Sequence, residues 1–530
     1  MVLDDQLYIF VTCLNKRYIP IDILFIRRMS ELSTEEVRKL ADQFGISVSD
    51  HELSNIRDQV NSNLEGLAEV KSFVERESEE TVGERTWKTA TDNSHNSIIT
   101  RCEVPPTADH NGLLEDLSVS VKDNISVAGI PMEAGSAALQ GYIPQTDATV
   151  IKRVRRAGAS ITAKTNLDEF GAGARAISNN GQMTHPDDPE RIPGGSSGGS
   201  AITVSTGEVD VSLAADTGGS GRMPAAHCGI IGLKPTYGLV PTSGIIENSY
   251  TLDHVATMAK TVEECAALLE AIAGRDPDDA ASMVAAAKPE YQVGGYVEAL
   301  NNAVSLEDTT IGVIKEGLGH GTAEQEVMSG IVHQTEAAID RLSDNGAEIS
   351  RISIKDFELS GPIKYALSYA ELAAHWRDAA ADYRRLGNVD PSYQQAFAAR
   401  SQAFGQQVNW YYRARLLAGA HLVNNEHGGL YMYAQKAREQ LCDQFEAALK
   451  EVDVFLLPTL PIIAPRLSEA TDPGYNYARN THPANVTKLP AITVPNGRVQ
   501  GVPVGMQLMG SAFSEKQLLS ISKRVLDVIR

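Results

Sequence analysis

Cysteine is scarce in this chain. Cys13, Cys102, Cys228, Cys265 and Cys442 are odd in number, widely spaced and never arranged as CxxC. That excludes a disulfide scaffold and predicts reduced thiols in a cytoplasmic protein. Metal-ligand patterns are missing too: there is no HExxH and no Cys/His cluster, so no metal site is expected. No GxxxxGK[ST] occurs, which leaves nucleotide phosphates without an anchor. No apolar run is long enough to cross a bilayer. Positive charge is in deficit: 47 Lys and Arg face 68 Asp and Glu, a formal net charge of -21. Nucleic acids and anionic membranes are held by clustered cations, so neither is expected as a direct partner.

The 530 residues, 42% hydrophobic, suffice for a large core and for two to four domains. Near the N-terminus, Tyr8–Leu14 and Tyr18–Ile26 are apolar but interrupted by Asn15, Lys16, Arg17 and Asp22. That is a poor signal peptide, and a start at Met29 would make residues 1–28 a non-native extension. Residues 29–75 read as N-terminal helices, because Ser33/Glu36 and Ser49/Glu52 have capping-box spacing before apolar helical faces. Residues 76–100 are polar and read as a linker. From 101 to 530, β-branched runs alternate with helices, which predicts an α/β fold: a mixed sheet covered by helices on both faces. Strands are expected at Ser118–Val121, Ala159–Ala163, Thr310–Ile314, Val452–Leu457, Ala491–Val494 and Val502–Leu508, with Asn496-Gly497 as the final turn. A Tyr- and Ala-rich segment, 358–429, reads as a helical insertion.

Two Gly/Ser clusters stand out: Gly194-Gly195-Ser196-Ser197-Gly198-Gly199-Ser200 and Asp216-Thr217-Gly218-Gly219-Ser220-Gly221-Arg222. Glycines beside a serine let backbone N–H groups converge on one point, an oxyanion cradle. Plain flexible loops have the same composition. Residues 195–199 also satisfy GxSxG, which would make Ser197 a nucleophile and require a histidine such as His427 or His482. Gly171–Ala176 fits GxGxxG/A, but no acidic residue follows in a suitable βαβ context, so dinucleotide binding is not expected. On residue chemistry alone, Ser197 and Ser220 both remain open.

Taken with Val121-Lys122-Asp123-Asn124, Gly232-Leu233-Lys234-Pro235-Thr236 and Gly238-Leu239-Val240-Pro241, these clusters resemble the amidase signature family of serine amidases. Weaker similarity reaches Leu457-Pro458-Thr459 and Leu489-Pro490-Ala491. The resemblance implies a Ser-Ser-Lys triad. Ser220 is the nucleophile, Ser196 is a relay on a cis peptide bond, and Lys122 is the base. The N–H groups of Thr217, Gly218 and Gly219, with that of Ser220 itself, would supply the oxyanion hole, with Ser197, Asp216 and Arg222 in support. Asp123 and Asn124 would support the lysine, and His227 and His254 would be structural. A lysine base must be neutral, which needs a drop of roughly 3 pKa units from about 10.4. Such chemistry needs no cofactor.

Two positions depart from the family pattern. Gly221 stands where isoleucine is usual, which predicts a wider pocket beside Ser220. One branch of the same family, the glutamyl-tRNA(Gln) amidotransferase A chain, also resembles this sequence around Lys234-Pro235-Thr236-Tyr237-Gly238, and Arg415 matches its carboxylate-binding arginine. Its ammonium-gripping aspartate falls near Ala478, beside Arg479, the wrong sign for an ammonium group. The sequence therefore favours a free-standing amidase acting on linear carboxamides, with a small amide as its partner and a homodimer as its assembly. The glutaminase component of the amidotransferase is the alternative, and the intact triad argues against a non-catalytic binding subunit.

Overall fold

In the computed structural model of the chain, the described residues are 31–64, 70, 85–91, 93–301, 304–320, 327–381, 383, 390–470 and 477–530. They divide into two compact units between Thr81 and Val82. The alternative start at Met29 and the linker expectation up to residue 84 lie outside the described residues.

Among the described residues, the first unit shows the helices Thr34–Gln43 and Asp50–Leu64. Both expected capping pairs are made: Glu36 N donates to Ser33 Oγ and Glu52 N to Ser49 Oγ. Arg38 and Asp50 bridge the pair at 2.6 Å.

The second unit is built on a sheet of twelve strands. They are β1 (Thr86–Thr89), β2 (Ile98–Val104), β3 (Ser118–Lys122), β4 (Ser160–Thr165), β7 (Val211–Ala215), β8 (Ile231–Lys234), β9 (Val255–Ala259), β10 (Thr310–Ile314), β11 (Glu348–Ile352), β12 (Val454–Pro458), β13 (Ala491–Val499) and β14 (Val502–Met509); β5 (Ile177–Ser178) and β6 (Gly181–Gln182) form a separate small hairpin. The sheet order is β1-β2-β4-β3-β7-β9-β8-β13-β14-β12-β10-β11. β4, β3 and β7 run parallel, whereas β9, β8, β13 and β14 pair antiparallel. The sheet is mixed, as expected.

Alternation along the strands shows why both faces are covered. Val119, Val121, Val211, Leu213, Val454 and Leu456 enter one large core. Their neighbours Ala214, Ala256 and Met258, and Phe455 and Leu457, enter other cores on the opposite side. A period of two with apolar residues at both phases demands helices on both faces. On the second face the helix Gly198–Thr206 lies against β3, where Ser120 meets Thr203 Oγ1 at 3.0 Å and Ser212 Oγ at 2.8 Å. Small polar side chains let the helix approach closely while satisfying one another.

Two sequence expectations change. The polar stretch expected as linker contains β1, an exposed edge strand paired with β2; an edge strand with no buried face shows no alternation to read. Asn496-Gly497 is not the final turn. The ladder shifts register between Pro495 and Arg498, and the chain reverses at Gln500 and Gly501, both at positive φ. Gly497, at φ 75°, forms a bulge instead. The helical insertion consists of Ser360–Arg377, Pro391–Phe404 and Trp410–Asn424, followed by Gly429–Ala448.

Candidate active site

Parallel strands β3 and β7 lie side by side, and the chain leaving β7 lines a cavity. Lys122 is the last residue of β3 and is 1% exposed. Its position alternates with Val119 and Val121, so its side chain leaves the sheet on the Ser120 face. Nζ donates to Ser196 Oγ at 2.8 Å. It also lies just behind Gly171, a lining residue, where an added Cβ would be 3.6 Å from Nζ. Burial lowers the Lys122 pKa to about 7, although Asp168, Asp216 and Asp253 pull it back up. Ser196 follows a cis Gly195–Ser196 peptide bond. It sits at the entry to the helix Gly198–Thr206, beside Asp168, whose carboxylate accepts from Arg175 N and Ala176 N. The GxGxxG-like segment at 171–176 is therefore a wrap around a carboxylate.

Ser197 is fully buried and donates its hydroxyl to Ala215 O at 3.1 Å. It braces the end of β7, which removes the GxSxG reading. Ser220 lines the cavity, together with Thr217 and Gly218. His482 lines it too, against Gly218, whereas His427 does not. Asp123 pairs with Lys164 at 3.0 Å, and His254 Nδ1 meets Leu252 O at 2.7 Å; both are structural.

The loop after β7 is organised around Asp216. Its carboxylate accepts from Gly219 N at 2.8 Å, from Gly221 N at 3.1 Å and from Arg222 Nε at 3.0 Å. Asn485 Nδ2 donates to it as well. Burial pushes its carboxyl up, but Arg222 and Asn485 outweigh burial and hold it well below the usual carboxylate range. Arg222 is itself fully buried and also reaches Gln507. This network engages one of the expected oxyanion donors. The Gly219 N–H is spent on Asp216; its role is the turn, at φ 121°. Among the described residues, no protein group accepts from the N–H of Thr217, Gly218 or Ser220. Thr217 Oγ1 donates to Asp253 at 2.5 Å, and Thr481 Oγ1 to Gly218 O at 2.8 Å, so the free donors are held from both sides.

Gly221 does not widen the cavity. A Cβ there would meet Ala256 Cβ at 2.5 Å, so the residue faces β9, where only glycine fits. Arg479 also behaves differently from expectation. It donates to Glu316 O and Asn480, pairs with Glu358 and stacks 5.7 Å from the Phe357 ring. It is 3% exposed, and only its neighbour Ala478 lines the cavity. The objection of wrong sign therefore disappears.

The insertion supplies further lining: Lys364, Tyr365, Ser368 and Tyr369 from one helix, and Arg415 from another. Glu469 supplies the carboxylate among the lining residues, and its side chain is exposed. The cavity measures about 120 Å³, room for a small acyl group. Lys364 and Glu469 carry no motif in the sequence; helix periodicity around Tyr365 is the only available signal.

A family model described as Amidase matches residues 93–519. The A chain of glutamyl-tRNA(Gln) amidotransferase from Halobacterium salinarum is 37% identical over 82% of this chain and 99% of the relative. That of Haloarcula marismortui is 39% identical over 77% of the chain and 94% of the relative. Among solved structures, the corresponding amidotransferase chain from Thermotoga maritima matches with a TM-score of 0.64 and 32% identity, covering 78% of this chain and 83% of that one. The peptide amidase of Stenotrophomonas maltophilia matches with a TM-score of 0.65 and 30% identity over 79% and 84%. These names overturn the expectation that nucleic acid has no part here: the relatives are subunits of an enzyme named for a tRNA. A net charge sums the whole surface and cannot exclude an RNA held by a local patch or by a second protein.

Proposed function

The chain belongs to the amidase signature family of C–N hydrolases, and from that premise we propose that it is the glutaminase subunit of a tRNA-dependent amidotransferase. The observation that carries this reading is the Halobacterium salinarum relative, which it matches at 37% identity over 99% of that relative's length. The cavity chemistry supports it. Arg415 offers a cation for the α-carboxylate of glutamine, and Glu469 an anion for its ammonium group.

The triad acts as follows. Lys122, with its pKa near 7 through burial, takes the Ser196 proton while Ser196 takes that of Ser220. Ser220 Oγ attacks the carboxamide carbon, and the N–H groups of Thr217, Gly218 and Ser220 receive the oxyanion. The proton returns through Ser196 to the leaving nitrogen, the C–N bond breaks, and ammonia departs from an acyl-Ser220 ester. Water then gives a proton to the same relay and attacks the ester. The carboxylate leaves and Ser220 regains its proton. Asp216 and Arg222 keep the loop in this shape, and Ser197 braces its base.

A free-standing amidase is the second reading. Ala478 favours it, because no carboxylate stands where the amidotransferase chain has its aspartate. Purification of the natural protein decides between them. Co-purification of a tRNA-binding chain, with glutamine-dependent amidation of glutamyl-tRNA, is the expected result. A protein that purifies alone and hydrolyses a panel of simple amides, but not glutamine, overturns the first reading in favour of the second.

A further inference from the structure

Lys364 belongs to the cavity but not to the triad. A Cβ added at Gly218 would sit 2.9 Å from Lys364 Cε and 3.3 Å from His482 Cδ2, so the lysine stem lies directly on the oxyanion loop. The residue is 9% exposed, and its Nζ is 5.2 Å from the Tyr365 ring centroid and 5.9 Å from that of Tyr369. Arg415 shares the Tyr369 ring, at 6.0 Å. Two cations thus flank one aromatic ring at the wall of one cavity.

Among the described residues, neither cation has a carboxylate partner. The nearby acids are engaged: Asp216 with Arg222, and Asp253 with Thr217 and the N–H groups of Asn248 and Ser249. Aromatic faces offset only part of the cost of burying an ammonium group. A carboxylate entering the cavity would supply the missing counter-charge and keep the ammonium group protonated.

We propose that Lys364 is a substrate-contacting, specificity-determining residue: with Arg415 it takes a carboxylate on the acyl portion, and so selects carboxylate-bearing primary amides over neutral ones. This rests on the amidase reading with Ser220 as nucleophile, and not on glutamine being the substrate. The burial-lowered pKa of Lys364, about 7, agrees with an ammonium that lacks a counter-ion until substrate binds. A carboxylate fits this site better than a larger anion because the cavity is small and the oxyanion loop occupies its floor.

The test compares kcat/KM for glutaric acid monoamide and for pentanamide, an uncharged amide of the same chain length. In Lys364→Met the ratio of the two is expected to fall at least tenfold. Lys364→Arg, which keeps the charge, should lose less. An unchanged ratio overturns the proposal, whether both activities fall together or neither does. On the unmodified full chain, glutarate should slow fluorophosphonate labelling of Ser220; labelling indifferent to glutarate also overturns it, whatever the variants do. Failure of the glutaminase reading looks different: glutaric acid monoamide is hydrolysed, glutamine is not, and the Lys364 ratio still falls. Conversely, glutamine hydrolysis with an unchanged ratio sinks Lys364 alone.

Discussion

Two buried lysines stand at one cavity, Lys122 behind Gly171 and Lys364 against Gly218, and their proposed roles differ. Lys122 ends a sheet strand and is tied to Ser196 at 2.8 Å. Lys364 projects from an inserted helix, with the Tyr365 and Tyr369 rings beside its ammonium group and its stem on the Gly218 loop. Both have pKa values lowered to about 7 by burial. As the proposed base, Lys122 would have to lose its proton; as the proposed carboxylate holder, Lys364 would have to keep its own. Among the described residues, the acid Asp216 on the sheet side is engaged by Arg222 and backbone N–H groups while the Thr217, Gly218 and Ser220 N–H groups stay open; on the helical side two cations stand without a carboxylate partner. With these proposed roles, the chemistry rests on groups fixed by backbone at strand ends, and substrate choice on side chains of the helical insertion.

The largest effect should come from the sheet wall. Ser220→Ala is expected to lower kcat by about 10⁴-fold or more, with thermal unfolding unchanged and fluorophosphonate labelling abolished. Residual labelling of the Ser220→Ala variant at Ser197 would break the assignment, since Ser197 is occupied by Ala215 O. Next comes Asp216→Asn. It leaves the fully buried Arg222 without its counter-charge, a loss on the order of 3–5 kcal/mol. Chemical denaturation should show that loss together with a collapse of kcat. Equal stability with normal activity would mean that the oxyanion loop does not depend on this pair.

A pH profile separates the two lysines. For a neutral amide, kcat/KM should rise about tenfold per pH unit up to roughly 7 and then level, because only Lys122 must deprotonate. For a carboxylate-bearing amide the profile should also fall above about 7, as Lys364 loses its charge. The groups facing Lys364 are Tyr365 and Tyr369 on its own helix, Arg415 from the helix Trp410–Asn424, His482, and the more distant Asp253 and Asp216. His482 stays neutral, held below its usual range by burial and by Lys364, so it adds no limb of its own. Lys364→Met should turn the bell into a single rise. A bell that persists in that variant would assign the alkaline limb elsewhere.

The same division explains what can be read in advance. The sheet wall speaks through short motifs. Lys122, Ser196 and Ser220 follow from local sequence plus a family resemblance, because strand-end loops with strict backbone demands tolerate few residues. Strand alternation likewise exposes most of the sheet. The edge strand β1 escapes because it buries no face, and Asn496-Gly497 misleads because a bulge and a turn ask for the same residues. The helical wall is illegible for another reason. Lys364 on the inserted helix meets Glu469, from a turn outside the insertion, at one cavity although they are more than a hundred residues apart, and no local pattern separates an inward lysine from a solvated one. Arg479 is hidden in the same way: its charge is plain in the chain, but not the Glu358 and Phe357 that absorb it.

The smallest effect tests how rigid the sheet wall is. Gly221 packs on Ala256 with no space for a methyl group: a Cβ would lie 2.5 Å from Ala256 Cβ and 3.2 Å from the Asp216 carboxylate. Its φ of -88° is open to any residue, so strain in Gly221→Ala would be purely steric. Overpacking of this kind costs about 1–3 kcal/mol. Because the added methyl points at β9 and away from the cavity, KM for either amide should hardly move, while Tm drops by several degrees. Replacing Ala256 with glycine in the same chain should restore part of the loss, since it removes the clashing atom. A change in KM, or in the ratio of charged to neutral amide, would show that the pocket feels Gly221 after all. The sheet side would then share in substrate choice.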